Sequence, residues 1–183
     1  MNNILITGSE GFIGKNLKHH LKQLNKYNVY TFNKENTLKE LRKLVNKADF
    51  IFHLAGVNRT HDFKEFDKIN YSLTQYICDI ISNKKTRTDV FFSSSTQSGN
   101  STEYGRSKSK AEDILLEIGK NTKNSIYISK LPNVFGKWSK QNYNSVVATF
   151  WYNIARELNV DIHDGSKEIK LLYIDDLIDT IIK

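Results

Sequence analysis

Apolar residues recur along this chain in two alternating rhythms. Short runs that are apolar at nearly every position give way to stretches with apolar residues three and four apart. Ile4-Leu5-Ile6 is the first run, and Phe12, Ile13, Leu17, Leu21 and Leu24 then fall at helical spacing. Val29 to Phe32 predicts a second strand. Thr37 and Glu40 predict a capping box ahead of a helix whose one face carries Leu38, Leu41, Leu44 and Val45. Phe50 to Ala55 predicts a third strand, apolar throughout, as a strand covered on both faces should be. Phe66, Ile69, Leu73, Ile77 and Ile80 mark a long helix, and Val90-Phe91-Phe92 a fourth strand. Ala111, Ile114, Leu115 and Ile118 mark the next helix, and Ser125 to Leu131 a fifth strand. Val146, Val147, Phe150 and Ile154 mark a further helix, and Ile169 to Ile174 a late strand. The aromatic pairs Phe91-Phe92 and Phe150-Trp151 read as core. Strict alternation of strand and helix predicts an α/β fold, a doubly wound parallel sheet with helices on both faces.

Composition narrows the class. A chain of 183 residues can bury one full core, so a single domain over residues 1–183 is expected, with a substrate-loop segment at about 133–165. Pro132 is the only proline, and no linker-like stretch marks a boundary. The net charge of +7 suits small polyanions better than nucleic acid, because the lysines are scattered rather than interleaved with stacking aromatics. No apolar run is long enough for a bilayer, so no membrane partner is expected. Cys78 is the only cysteine, and no Cys or His spacing suggests a metal site. The start of the chain, already strand and glycine turn, leaves no room for a signal peptide. Together these predict a cytoplasmic chain.

The glycines supply the first chemistry. Thr7-Gly8-Ser9-Glu10-Gly11-Phe12-Ile13-Gly14 is a T-G-x-x-G-x-x-G run between a strand and a helix. Gly8 turns the chain out of the strand, Gly11 admits a pyrophosphate to the backbone, and Gly14 lets helix pack closely on sheet. The positive end of that helix then holds the phosphates. A dinucleotide is the expected ligand. In a doubly wound sheet it lies beyond the carboxyl ends of the strands, where this chain places Asn33 and Lys34, Gly56 to Arg59, Ser93 to Thr96, and Leu131 to Gly136. An acidic residue at the end of the second strand would bind the ribose hydroxyls of NAD. Here Asn33-Lys34 stands instead, and Lys34 would attract a 2′-phosphate, so NADP(H) is expected over NAD(H). Lys15 and Arg59 are weaker candidates for that phosphate.

Tyr104 and Lys108 form a Y-x-x-x-K that opens a helix just after Ser93-Ser94-Ser95. A spacing of four puts phenol and ammonium on one helix face, and the cation is expected to lower the phenol pKa toward neutrality. Tyr30 and Lys34 match the pattern too, but lie along a strand.

These motifs occur in a family's order. The glycine run, His53-Leu54-Ala55-Gly56, the three serines, Tyr-x-x-x-Lys, Pro132-Asn133-Val134-Phe135-Gly136 and Tyr173-Ile174-Asp175-Asp176 together resemble the extended short-chain dehydrogenase/reductase family, the NAD(P)-dependent nucleotide-sugar epimerases, dehydratases and reductases. Leu54 to Arg59, Phe135 to Trp138 and Asn142 to Phe150 resemble more closely the N-terminal reductase domains of the capsular-polysaccharide enzymes that make UDP-2-acetamido-2,6-dideoxy-L-talose. The resemblance implies NADPH-dependent reduction of a UDP-linked 4-keto-6-deoxy-N-acetylhexosamine. It implies Ser95, Tyr104 and Lys108 as catalytic residues. It implies Thr7, Gly8, Gly11, Phe12, Ile13, Gly14, Leu54, Ala55 and Gly56, with Tyr104 and Lys108, at the cofactor, and agrees with the Lys34 reading above. It implies Ser95, Thr96, Asn133, Asn142 and Asn144 at the substrate, where Asn142 and Asn144 are equally candidates for turn residues. Asn70 matches a family position that bonds backbone. His53 reads as a packed core residue, and Asp175 and Asp176 as caps of the last helix.

Some features depart from the pattern. Only nine positions separate Ser95 from Tyr104, and Ser129-Lys130 stands where relatives often carry Arg. The family's later substrate-binding elements and the cupin domain of the capsular enzymes are not in the sequence, so a homodimer or a partner chain supplying the C-terminal part is considered. Thr96-Gln97 after Ser95 disfavours dehydration, which needs an acidic pair there. The alternatives left are an NAD-retaining 4-epimerase and a non-catalytic NADP-binding subunit.

Overall fold

β1 (Asn2–Thr7) is buried from Ile4 onward and runs between two parallel neighbours in this computed structural model, which describes residues 2–143, 145–162, 165–166 and 168–183. On one side lies β2 (Tyr27–Phe32), with Ile4 opposite Val29. On the other lies β3 (Phe50–His53), with Ile6 opposite Phe52 and Thr7 opposite His53. β4 (Asp89–Ser95) pairs in parallel with β3, and β5 (Ile126–Leu131) completes the five-stranded order β2-β1-β3-β4-β5. The order turns back at β1, so the crevice beyond Thr7 and His53 is the topological switch point where such sheets bind ligands.

The helices follow from the apolar spacing. α1 (Phe12–Leu24) buries Leu17 and Leu21. α2 (Leu38–Lys47) starts on the expected box: Glu40 N–H donates to Thr37 Oγ1 and Thr37 N–H to the Glu40 carboxylate. One apolar layer is continuous from Leu5, Ile51, Val90 and Phe92 on the sheet to Leu41, Val45, Ile77, Ile81, Ala111 and Leu115 on the helices. Residues 66–82 are not one regular helix. Phe66–Ser72 is wound as a π-helix, and α3 (Leu73–Ser82) continues it in the α form. α4 (Glu103–Asn121) starts at Thr102, whose hydroxyl accepts from Gly105 N–H at 3.0 Å.

The chain divides into two compact units, Met1–Lys130 and Leu131–Lys183. The second holds β6 (Asn133–Phe135), a strand where only a turn is expected, paired in parallel with β7 (Leu171–Tyr173). The Phe135 and Tyr173 rings lie 5.5 Å apart. The late strand is shorter than expected because Ile174 opens α6 (Ile174–Ile182). Asp175 and Asp176 sit in the first turn of α6 rather than at its cap, which is Tyr173; there they face the positive helix end. α5 (Val146–Ile154) buries none of its residues, and Trp151 is 72% exposed. The core reading therefore holds for Phe91-Phe92 and fails for Trp151. Helical spacing identifies an apolar face but not whether anything covers it.

Candidate active site

Thr7 ends β1 with its side chain wholly buried, and Gly8 turns the chain out at φ +71°. A Cβ on Gly8 would come within 2.8 Å of the Ala55 backbone, and one on Gly14 would strike the Gly8 carbonyl. The loop after β1 thus lies directly on the loop after β3, and only glycine permits both approaches. Gly11 is the N-cap of α1 and offers no side chain to its first turn, which also carries no acidic residue. The leading N–H groups of α1 are the donors a pyrophosphate needs, so the residues present fit a dinucleotide. Phe12 and Ile13, half-buried, open that turn.

Asn33, just past β2, is committed to the glycine loop. Its side-chain oxygen lies 3.1 Å from both Ser9 Oγ and Glu10 N. Lys34 beside it is 92% exposed, with Glu35 at 4.0 Å as its ion-pair partner among the described residues. Glu10, which would repel a phosphate nearby, is ion-paired to Lys18.

A chain of buried hydrogen bonds runs inward from this loop. Ala55 N–H donates to Thr7 Oγ1 at 3.2 Å, and Thr7 Oγ1 lies 2.7 Å from His53 Nδ1. His53 Nε2 lies 2.9 Å from Thr74 Oγ1, which donates onward to the Asn70 carbonyl at 2.7 Å. Thr74 has one proton and spends it on Asn70, so His53 carries its hydrogen on Nε2 and accepts from Thr7 at Nδ1. Burial, and secondarily the nearby Lys108 charge, pushes the His53 pKa down to about 3, so the ring is neutral. His53 is a packed core residue, as expected. Asn70, on the π-helix, clamps Val57 at both backbone atoms (2.8 and 2.9 Å) and donates to Ser107 Oγ at 3.0 Å. It bonds backbone, as the family resemblance implies.

The Tyr104–Lys108 face of α4 lies against the end of β4. The Ser95 hydroxyl lies near enough to the Tyr104 phenol to act on its ionisation, and Ser95 Oγ accepts from Gln97 N–H at 3.1 Å. Lys108 is buried, donates to the Ser93 carbonyl at 2.8 Å, and rests 4.6 Å from the Phe92 ring centroid. Burial brings its pKa down to about 8, opposed by the Glu112 charge. The Tyr104 phenol departs from the sequence expectation. Its pKa is raised by burial, with the Ser95 hydroxyl acting against that, and Lys108 does not lower it. The Lys108 ammonium is given to the Ser93 carbonyl. A phenol that stays protonated at neutral pH is equipped to give a proton rather than take one. The short 96–102 connection is held by Ser98 N–H to Ser95 O (2.9 Å) and Asn100 N–H to Gln97 O (3.1 Å). A Cβ on Gly105 would strike Asn100, so this tight loop requires glycine after Tyr104. Thr96, its first residue, is exposed.

The model of the NAD dependent epimerase/dehydratase family matches residues 4–183. This chain belongs to that family. It is 43% identical over 180 residues to a UDP-2-acetamido-2,6-beta-L-arabino-hexul-4-ose reductase of Pseudomonas aeruginosa, which covers 98% of the chain and 48% of the relative. Among solved structures it is similar to the capsular polysaccharide assembling protein CapF from Staphylococcus aureus, with 41% identity and a TM-score of 0.86, over 100% of this chain and 49% of that one. A UDP-glucuronic acid 4-epimerase from Bacillus cereus in complex with NAD shares the fold at 20% identity and a TM-score of 0.85, covering 98% of this chain and 72% of that one. The chain thus spans about half the length of the curated relative it matches.

The remaining family positions lie in the second unit. Asn133 is exposed at the start of β6. Asn142 takes a left-handed φ of +54° and gives its N–H to Thr149 Oγ1 at 2.8 Å, so its backbone serves as a turn residue. Asn144 lies outside the described residues. Among the described residues no group of His, Cys, Asp and Glu is arranged to hold a metal, and no helix is long and apolar enough to cross a membrane. Sequence reasoning missed Thr74, the π-helix and the Ser94–Glu112–Lys130 cluster. The available signal for the last was Glu112 itself, a charge on the apolar face of α4.

Proposed function

We propose that this chain is the catalytic unit of an NADPH-dependent 4-keto reductase acting on a UDP-linked 4-keto-6-deoxy-N-acetylhexosamine, in cytoplasmic synthesis of nucleotide sugars for surface polysaccharide. The observation that carries this reading is the Ser95–Tyr104–Lys108 arrangement at the carboxyl end of β4, with a phenol held protonated. The 43% identity to a hexulose reductase supports the substrate class. Gly8, Gly11, Phe12, Ile13 and Gly14 would hold the pyrophosphate, with Leu54, Ala55 and Gly56 beneath it and Lys34 on the 2′-phosphate. A bound dihydronicotinamide supplies a hydride equivalent to the keto carbon. Ser95 hydrogen-bonds the keto oxygen, and Tyr104 gives that oxygen its proton. Lys108, held on the Ser93 carbonyl, would bind the nicotinamide ribose. Thr96, Asn133, Asn142 and Asn144 are proposed substrate contacts.

Trp151, Ile154, Leu158 and Ile162 leave apolar surface exposed in the second unit. This supports a homodimer, or a chain carrying the C-terminal part found in the relatives, as the partner that completes the enzyme. The reading is tested by NADPH consumption with the UDP-keto sugar. Turnover should fall about a hundred- to ten-thousand-fold in Tyr104→Phe, the range for loss of a general acid. Tightly retained NAD without NADPH consumption would instead indicate the epimerase.

A further inference from the structure

Three successive serines at the end of β4 each engage a different turn of α4. Ser95 acts on the Tyr104 phenol, the Ser93 carbonyl accepts from Lys108, and the Ser94 hydroxyl donates to Glu112. Tyr104, Lys108 and Glu112 stand four residues apart in turn, on one face of the helix. The function proposed above uses the first two and leaves Glu112 without a role. Yet Glu112 is a buried carboxylate, and burying one costs several kcal/mol, of order, unless it is paired. Its Oε1 accepts a hydrogen bond from the Ser94 hydroxyl, and its Oε2 lies 3.3 Å from Lys130 Nζ.

Lys108 has the complementary problem. It is only 5% exposed, and its direct partners are a neutral carbonyl and an aromatic face. From β3, His53 is neutral and offers no countercharge. Gly56 and Asn70 beside it carry no charge. On α4, Tyr104 is a neutral phenol, and Glu112 is the carboxylate that acts on Lys108. From β5, Lys130 bears on the same carboxylate from its half-exposed position.

We propose that Glu112 is a positioning residue for the Tyr104–Lys108 pair: its carboxylate is the countercharge that keeps buried Lys108 an ammonium ion, and its bond to Ser94 fixes the turn of α4 that presents both. Lys130 shares that carboxylate and so weakens its hold on Lys108. The proposal rests on the reductase reading for its catalytic consequence, but its test needs neither substrate nor nicotinamide.

The test is the titration of Lys108 in the chain carrying carbon-13 at the lysine Cε positions, followed by NMR. The Lys108 signal is identified by its loss in Lys108→Arg. The wild-type midpoint is expected at about pH 8. Glu112→Gln should lower it by about one pH unit, because an opposite charge nearby is worth about that or more. Lys130→Met should raise it by a few tenths of a unit, roughly, since the carboxylate is then no longer shared. A role confined to packing would not shift the midpoint in opposite directions. A folded Glu112→Gln with an unmoved midpoint overturns the proposal. Should Glu112→Gln not fold, Glu112→Asp decides: drawing the carboxylate back by one methylene should lower the midpoint, and an unmoved or higher one overturns the proposal.

Discussion

His53 shows how a single buried side chain can carry a pH dependence that no surface group would. Folded, it takes up a proton only near pH 3; unfolded, it does so near 6.5. Between those values the unfolded chain binds more protons, so stability falls as pH falls, by up to about 1.4 kcal/mol per pH unit from this group alone. Urea unfolding at pH 7, 6 and 5 should show that slope, and His53→Gln should flatten it even where it lowers stability overall. The same physics governs Tyr104 and Lys108, with burial pushing the phenol up and the ammonium down. Sequence spacing predicts that these two share a helix face, which they do. It does not predict that desolvation outweighs their attraction, because burial belongs to the whole surroundings of a group.

The elements were legible wherever pattern and local chemistry agreed. The Thr37–Glu40 box and the strand–glycine–helix unit around Gly8 to Gly14 form as read. α4 adds a second capped start, at Thr102. Thr102→Ala should lower stability by about 1 kcal/mol, the usual cost of losing such a cap, measurable as a shift in the urea midpoint. That loss should be accompanied by fraying of the turn that carries Tyr104, seen as faster amide exchange at Gly105. The π-helix was not legible. Its apolar residues keep helical spacing, while its polar Asn70 bonds residues distant in sequence, Val57 and Ser107. β6 was missed for a related reason, since three residues become a strand only when β7 pairs with them.

At the scale of the molecule, the proposed cofactor site is assembled from loops far apart in sequence. Gly8 packs on Ala55, and Asn33 holds Ser9. Binding there should stabilise the fold by mass action. At about a hundred times the dissociation constant, NADPH should add about 2.7 kcal/mol, read as a rise in melting temperature. At equal concentration NADH should add less, and Lys34→Glu should remove the difference. Gly14→Ala should abolish the response to both nucleotides, since its Cβ would displace the Gly8 carbonyl.

The sequence by itself determined the alternation of elements, the glycine loop and the family, because each depends on neighbours a few residues apart or on an ordered set of motifs. Only the tertiary structure decided which groups are desolvated and what answers their charge. The neutral His53, the protonated Tyr104 and the Ser94–Glu112–Lys130 cluster are its products. Burial and countercharge arise from residues brought together by folding, and no local pattern encodes them.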